Sequence, residues 1–404
     1  MSNVVPSNSA AFSVMSSADV ERVLCDCSAR KQPLVIATSE VLLSRSWRNV
    51  PGAMVIDLSR MNAVRVDIQR RIALVGPGAR YSSLLSEAAK GGMMPEIETA
   101  ASLDFTFADW AHESLRMLST SNSGTDGMLR NVKVAAPATS YQTGYDSFPA
   151  NGGGYDLTKL FLTSGMSLGV PVEFAIPLRP IPDIAMMRTC SFDKAENAVA
   201  AGAQISRSGY ARSVRLKSSG FDEMLATGKA PGYSGTANQL IIRMEGTKPI
   251  MDAGIKLVDD VIAKGGGKTV EDKQDVPTFI DPLSISPGVW PLGICVVDTK
   301  ALPAVLKDLL DIAKRSNRAF QYSVSDVAPT SSVLVPIVQG PFSKELLDSV
   351  GTCLADRRIS LRGNPQWNPI LGDARAVPRI EVVKGIKKLV DPNMILNPHV
   401  MEVF

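Results

Sequence analysis

Residues 154–173, Gly-Tyr-Asp-Leu-Thr-Lys-Leu-Phe-Leu-Thr-Ser-Gly-Met-Ser-Leu-Gly-Val-Pro-Val-Glu, constrain the fold of this chain more than any other stretch. The pattern predicts a helix start, a turn, and a strand entered through Gly169. A glycine at a strand entrance lets the backbone approach a neighbour or a ligand closely. Before it, residues 33–37, 53–57 and 71–75 read as short buried strands, residues 17–24 as a serine-capped helix, and residues 81–90 as a helix closed by Gly91 and Gly92. Beyond it the pattern changes to strand–helix pairs: 188–192 with 194–207, 239–245 with 249–264, and 292–297 with 302–315. An antiparallel sheet with helices on one face buries such units economically. Residues 379–389 read as a last helix. The expected class is therefore α+β.

Composition excludes several functions. Basic and acidic residues number 43 and 40, a net charge of +3, and no block of like charge stands out, so nucleic acid is not an expected partner. No apolar run approaches the ~18 residues of a membrane span, and the sequence predicts a soluble, cytoplasmic protein rather than an integral membrane one. The five cysteines are an odd number, and the one close pair is Cys25 and Cys27. That spacing does not suit a metal, and they read as reduced, buried small hydrophobes. Gly265, Gly266 and Gly267 follow a helix and read as its cap and turn. Gly152 to Gly154 read as a hinge or, at a helix start, as an anion contact.

Residues 154–173 closely resemble the G-Y-D-L-T-K-L-F-x-G-S-E-G-T-L-G-I signature of FAD-binding oxidoreductases of the vanillyl-alcohol oxidase (PCMH) type, particularly the D-lactate and glycolate dehydrogenase branch. Two further pieces stand in the family's order: residues 55–62 (Val-Ile-Asp-Leu-Ser-Arg-Met-Asn) followed by 74–78 (Leu-Val-Gly-Pro-Gly), and residues 390–398 (Val-Asp-Pro-Asn-Met-Ile-Leu-Asn-Pro). Three ordered motifs are far less expected by chance than one. The resemblance implies a two-subdomain PCMH-type FAD-binding domain over 19–182, a ferredoxin-like antiparallel α+β substrate or cap domain over 183–375, and a segment, 376–404, that returns to the FAD domain. It further implies hydride transfer from the α-carbon of a small hydroxy acid to the flavin N5, with electrons passed to a partner, an iron–sulfur or second flavin subunit.

The same resemblance selects site residues. The family's glycine-rich diphosphate loop is replaced here by residues 37–51, which contain no glycine. Ser39, Ser44, Arg45, Ser46 and Arg48 could supply hydroxyl and guanidinium donors in its place, or the segment is an ordinary polar surface loop. Thr106-Phe-Ala-Asp109 stands where the family has T-I-G-G. Asp109 would repel a diphosphate there. Asn122 and Gly124 match a T-N-A-G segment beside the flavin, Arg130 the arginine of a following G-x-x-R-D-x-V, and Leu168, Gly169 and Val170 the L-G-I placed against the cofactor; Asn397 belongs to the returning tail. Thr163, Gly165 and Met166 depart from G-S-E-G. The branch's H-x-G-D-G-N-x-H metal and substrate strand corresponds to residues 320–335, which hold no histidine; the chain has only His112 and His399. No metal is expected, and no histidine early in the chain could link the flavin, so FAD would be non-covalent. His112 reads as a surface histidine and His399 as the candidate proton acceptor or flavin contact. Tyr322, Asp326, Arg357, Arg358 and Arg362 remain possible substrate-facing groups. A reading of another class also fits: a degenerate, flavin-free paralogue serving as a structural or interaction subunit.

Overall fold

The computed structural model describes residues 11–37, 50, 52–96, 106–112, 129–144, 157–162, 164, 166–228, 237–274, 288–340, 343–359, 361–362 and 377–398. These divide into two compact units. One takes the described residues within Met1–Met117, Thr125–Ile181 and Pro365–Phe404, the other those within Pro182–Asn364.

In the first unit, strands β1 (Ala11–Ser13), β2 (Leu34–Ala37) and β3 (Met54–Asp57) form a small parallel sheet of order β1-β3-β2. All four residues of β2 are buried, the pattern of a strand covered on both faces. Helix α1 (Ser17–Ala29) joins β1 to β2, and its cap is Ser16, one residue earlier than the sequence suggested. Ser16 Oγ accepts from the Asp19 N–H at 3.2 Å and Asp19 Oδ2 from the Ser16 N–H at 3.1 Å, a reciprocal capping box. The Ser16 hydroxyl also donates to Asp19 Oδ2 at 2.9 Å, and this bond, followed by that from the Met15 N–H, holds the Asp19 carboxyl below its usual range.

The second sheet of this unit is antiparallel, in the order β4-β5-β9-β7-β8 with β6 also paired to β9. Its strands are β4 (Val64–Asp67), β5 (Ile72–Val75), β6 (Met93–Pro95), β7 (Asn131–Ala135), β8 (Ser140–Gln142) and the long β9 (Val170–Pro180). Helices α2 (Tyr81–Ala89), α3 (Phe107–His112) and α4 (Thr158–Leu162) complete it. One hydrophobic cluster, including Leu34, Ile56, Phe107, Val132 and Phe174, joins the two sheets.

The second unit is one continuous antiparallel sheet built from two similar halves. The first runs β10 (Ile184–Phe192), α5 (Ala195–Ser208), β11 (Ala211–Ser218), α6 (Phe221–Thr227), β12 (Asn238–Gly246), α7 (Lys248–Lys264) and β13 (Lys268–Gln274). The second runs β14 (Val289–Pro291), β15 (Ile294–Asp298), α8 (Leu302–Arg315), β16 (Phe320–Val327), β17 (Ser331–Gln339), α9 (Lys344–Asp356) and β18 (Leu361–Arg362). The sheet order β13-β10-β12-β11-β16-β17-β15-β18 is a ferredoxin-like 4-1-3-2 arrangement meeting a second one, 2-3-1-4, at the β11·β16 seam. The sequence suggested one ferredoxin-like domain where the structure has this pair. Apolar residues of α5, α7, α8 and α9 share one core with Phe192, Leu216, Ile242, Val297 and Val324, so these helices cover one face. The short α6 lies on the other face, with Val289 and Ile337. No described helix is long and apolar enough to cross a membrane.

Candidate functional site

The signature turn between α4 and β9 is fastened from several sides. Ser164 Oγ donates to Phe161 O and Ser167 Oγ to Ser164 O, both at 2.7 Å. Met166 occupies the position of the second glycine of the family's G-S-E-G and keeps a glycine's backbone, at φ +59° with its side chain buried. An L-residue pays on the order of 1–2 kcal/mol for that conformation, and the apolar burial of the methionine offsets it. At Gly169 a Cβ would lie 2.2 Å from Val134 Cγ1, so only glycine lets β9 enter against β7. Leu168 is buried with Ala136 and Val390, and Val170 pairs with Ala135.

The carbonyls of Ser167 and Leu168 are held by two buried side chains. Lys387, on helix α10 (Val377–Val390), donates from Nζ to Ser167 O at 2.7 Å, to Leu396 O at 2.8 Å and to Asp391 Oδ2 at 2.5 Å. Asp391 accepts in addition from the N–H groups of Ile395 (3.1 Å) and Leu396 (2.8 Å). Both side chains are 0% exposed. Burial pulls the Lys387 ammonium below its ordinary range, and Asp391 pulls it back up. The pair therefore ties helix, tail and signature turn together. The tail itself joins β2: Leu396 bridges Leu34 in parallel, the Asn397 N–H donates to Leu34 O at 2.8 Å, and Asn397 Oδ1 accepts from the Ile36 N–H at 3.3 Å. Asn397 is buried with φ +37°.

Leu168 O accepts from the Tyr141 hydroxyl at 3.0 Å. Burial pushes the Tyr141 phenol up to about 12. With the folded value raised above an unfolded ~10, its contribution is whole below pH ~10 and is lost as pH rises through about 12. Tyr141→Phe should cost about 1 kcal/mol at neutral pH. The gap between the denaturation midpoints of the two proteins should narrow from pH 10 upwards. Parallel profiles would show that the fold does not raise the pKa of this hydroxyl.

The early motifs also meet. The turn Gly76-Pro77-Gly78 after β5 lies on the turn after β3: Gly78 N–H donates to Met61 O at 3.0 Å, and Gly76 N–H to Ala63 O at 2.8 Å. A Cβ at Gly76 would stand 2.1 Å from Met61 O, and at Gly78 2.4 Å from Leu58 O. These glycines serve the contact between two segments of the chain.

Thr106 to Asp109 is the place where the residues do not fit a diphosphate. Thr106 Oγ1 donates to Asp109 Oδ2 at 2.7 Å, and the Thr106 N–H to the same oxygen at 3.2 Å; the Asp109 N–H donates back to Thr106 Oγ1 at 3.2 Å. The N–H groups of Phe107 and Ala108 go to Ala79 O (3.1 Å) and Pro77 O (2.8 Å). All four backbone donors are thus committed within the protein, and the carboxylate adds negative charge where the family offers bare glycine amides. Diphosphate donors, if FAD is held, come from elsewhere.

Of the other sequence-selected residues, Arg130 is half-buried at the start of β7, its N–H bonded to Ala175 O. Ser39, Arg45, Arg48, Asn122, Gly124 and His399 lie outside the described residues, as do Thr163 and Gly165. Tyr322 does not present a free hydroxyl to a substrate: it is buried on the helical side of its sheet and hydrogen-bonded to Asn238 Oδ1, and burial raises its phenol. Arg357 is committed to Asp308 on the helical layer. Among the described residues no group of histidine, cysteine and carboxylate side chains is placed to hold a metal. Lys387 and Asp391, which organise the turn, were not singled out from the sequence, where an i,i+4 Lys–Asp pair reads as a solvated helix face.

Residues 9–135 match the family described as FAD binding domain. Over 425 aligned residues the chain is 23% identical to the mitochondrial D-lactate dehydrogenase [cytochrome] of Arabidopsis thaliana, covering 94% of this chain and 71% of that protein. Among solved structures, p-cresol methylhydroxylase with substrate bound superposes with a TM-score of 0.73 at 16% identity, covering 97% of this chain and 88% of that one. Alkyldihydroxyacetonephosphate synthase does so with a TM-score of 0.72 at 16% identity, covering 96% and 76%. At these identities the structures share the fold alone. Together the matches show an FAD binding domain over residues 9–135, in a chain distantly related to D-lactate dehydrogenase that shares its fold with PCMH-type flavoenzymes.

Proposed function

We propose that the protein is an FAD-dependent dehydrogenase of the D-2-hydroxy-acid type, acting as a cytoplasmic subunit that hands electrons to an iron–sulfur or second flavin partner. In this reading residues 19–182 with 376–404 hold the cofactor and 183–375 the substrate. Bound FAD would supply the hydride acceptor. The chain's own part is to hold the backbone of Leu168, Gly169 and Val170 rigid and to supply a proton acceptor. The observation that carries the reading is the signature turn, whose successive carbonyls are clamped by Lys387 and Tyr141 although Met166 has replaced its glycine. The hydroxy-acid class rests on the similarity to D-lactate dehydrogenase.

The purified protein should be yellow and should release free FAD on acid or heat denaturation. Anaerobic D-lactate or glycolate should bleach its absorbance. A colourless protein that takes up no added FAD would instead support a flavin-free structural subunit, the reading that the closed turn at Thr106 to Asp109 favours.

Because that turn has no donor to offer, the diphosphate of FAD should depend on the segment after β2. Replacing Arg45 and Arg48 together by alanine should weaken FAD binding by about 2–4 kcal/mol, the scale of two charge-assisted contacts. Unchanged affinity in a folded double variant would show that the segment does not touch the phosphates.

A further inference from the structure

A lysine ammonium has three hydrogens, and Lys387 uses all of them inside the protein. They go to Ser167 O, Leu396 O and Asp391 Oδ2, on a side chain with no exposed surface. No hydrogen is left for a ligand, so Lys387 acts as a connector. What it connects is set by the two carbonyls. Ser167 O belongs to the signature turn, immediately before the backbone of Leu168, Gly169 and Val170, and Leu396 O belongs to the tail. The tail is docked by backbone pairing on β2, the edge strand of the small parallel sheet: the Leu34 N–H donates to Ile395 O at 2.7 Å and the Asn397 N–H to Leu34 O at 2.8 Å.

Apolar packing also joins turn and tail. Leu168 packs with Val390, and Met166 and Leu396 share the main core of this unit. Such packing is non-directional and holds segments together at many orientations. Two carbonyls shared by one buried cation are different, because turning either oxygen away leaves the ammonium with a hydrogen that no water can reach. A tail lifted from β2 withdraws Leu396 O and so disturbs the group that holds Ser167 O.

We propose that Lys387 is a positioning residue that couples docking of the tail to occupation of the flavin site. When a bound cofactor fixes the backbone of Leu168 to Val170, the turn fixes the ammonium, and the ammonium fixes Leu396 O and with it the pairing to β2. Linkage makes the effect reciprocal, so a docked tail raises flavin affinity by the same factor by which bound flavin favours docking. The inference rests on the reading that flavin lies against the signature turn, and it makes the tail part of cofactor retention.

The test is amide hydrogen exchange of the purified protein with and without added FAD, read at Asn397, whose N–H lies on Leu34 O. Val132, with its N–H on Thr143 Oγ1 in the core, serves as the reference that subtracts the general gain in stability on ligand binding. Relative to Val132, FAD should slow exchange at Asn397 by about tenfold, within the usual range of coupling between linked sites. The informative variant combines Lys387→Met with Asp391→Asn, which removes the unpaired carboxylate and keeps an acceptor for the Ile395 and Leu396 N–H groups. It should recover at least half of the denaturant midpoint lost in Lys387→Met alone. It should nonetheless bind FAD at least tenfold more weakly than wild type, and saturating FAD should change its relative Asn397 exchange less than twofold. A double variant that binds FAD within twofold of wild type, or in which FAD still slows Asn397 tenfold, would overturn the proposal and leave the flavin reading in place. So would a wild-type protein in which bound FAD leaves relative Asn397 exchange within twofold, a result that does not depend on any variant folding. A folded wild-type protein that takes up no FAD would overturn both.

Discussion

Lys387→Met should destabilise the first unit by about 3–5 kcal/mol, the range for removing one partner of a buried ion pair. The replacement fills most of the volume but leaves the Asp391 carboxylate in a site without solvent, keeping only the Ile395 and Leu396 N–H groups as donors. It also strips Ser167 O and Leu396 O of their shared ammonium donor, so the loss should extend from helix α10 to the signature turn and the tail. Asp391→Asn should be milder, because an amide oxygen can still accept from the two N–H groups. Denaturant midpoints followed through the tryptophan signal, with hydrogen exchange at Leu168 and Leu396 as the local readout, check both effects. If Lys387→Met unfolds at the wild-type midpoint with unchanged exchange at both amides, the pair does not hold these segments.

That pair also shows where reading a sequence stops. The buried strands β2, β3 and β5 and the glycine-entered β9 were legible because each carries its own signal: an apolar run of strand length, or a glycine where Val134 leaves no room for a Cβ. Lys387 and Asp391 carry the opposite signal. Their burial is decided by segments some 220 residues away in the chain, where Ser167 O waits for a donor. The doubling of the ferredoxin-like unit was hidden for a related reason. Strand–helix alternation shows that such units exist, but not that Lys217 pairs with Ser323 to join them edge to edge. Met166 lies between these cases. The departure from glycine was visible, and the structure supplies its resolution: the left-handed backbone is kept and the side chain is buried instead.

From Leu396 to Asn397 the chain runs parallel to β2, so it heads towards the carboxyl end of that strand. The carboxyl ends of parallel strands are where ligands collect in open sheets. Asn397 fixes that approach through its side chain on Ile36, and His399 follows two residues later. A hydroxy-acid dehydrogenase has to remove the hydroxyl proton as hydride leaves, and a positioned base contributes about 10²–10⁴-fold. Residues 320–335 hold no histidine, and Tyr322 is committed to Asn238. His399→Ala should therefore lower kcat for D-lactate or glycolate by about 10²–10⁴-fold, while FAD release on denaturation stays at the wild-type amount. The isolated chain should turn over weakly with a dye acceptor and faster with its electron partner present. Robust turnover by the isolated chain, indifferent to the loss of His399, would place the base on another residue and remove the reason to regard this chain as one subunit of a larger enzyme.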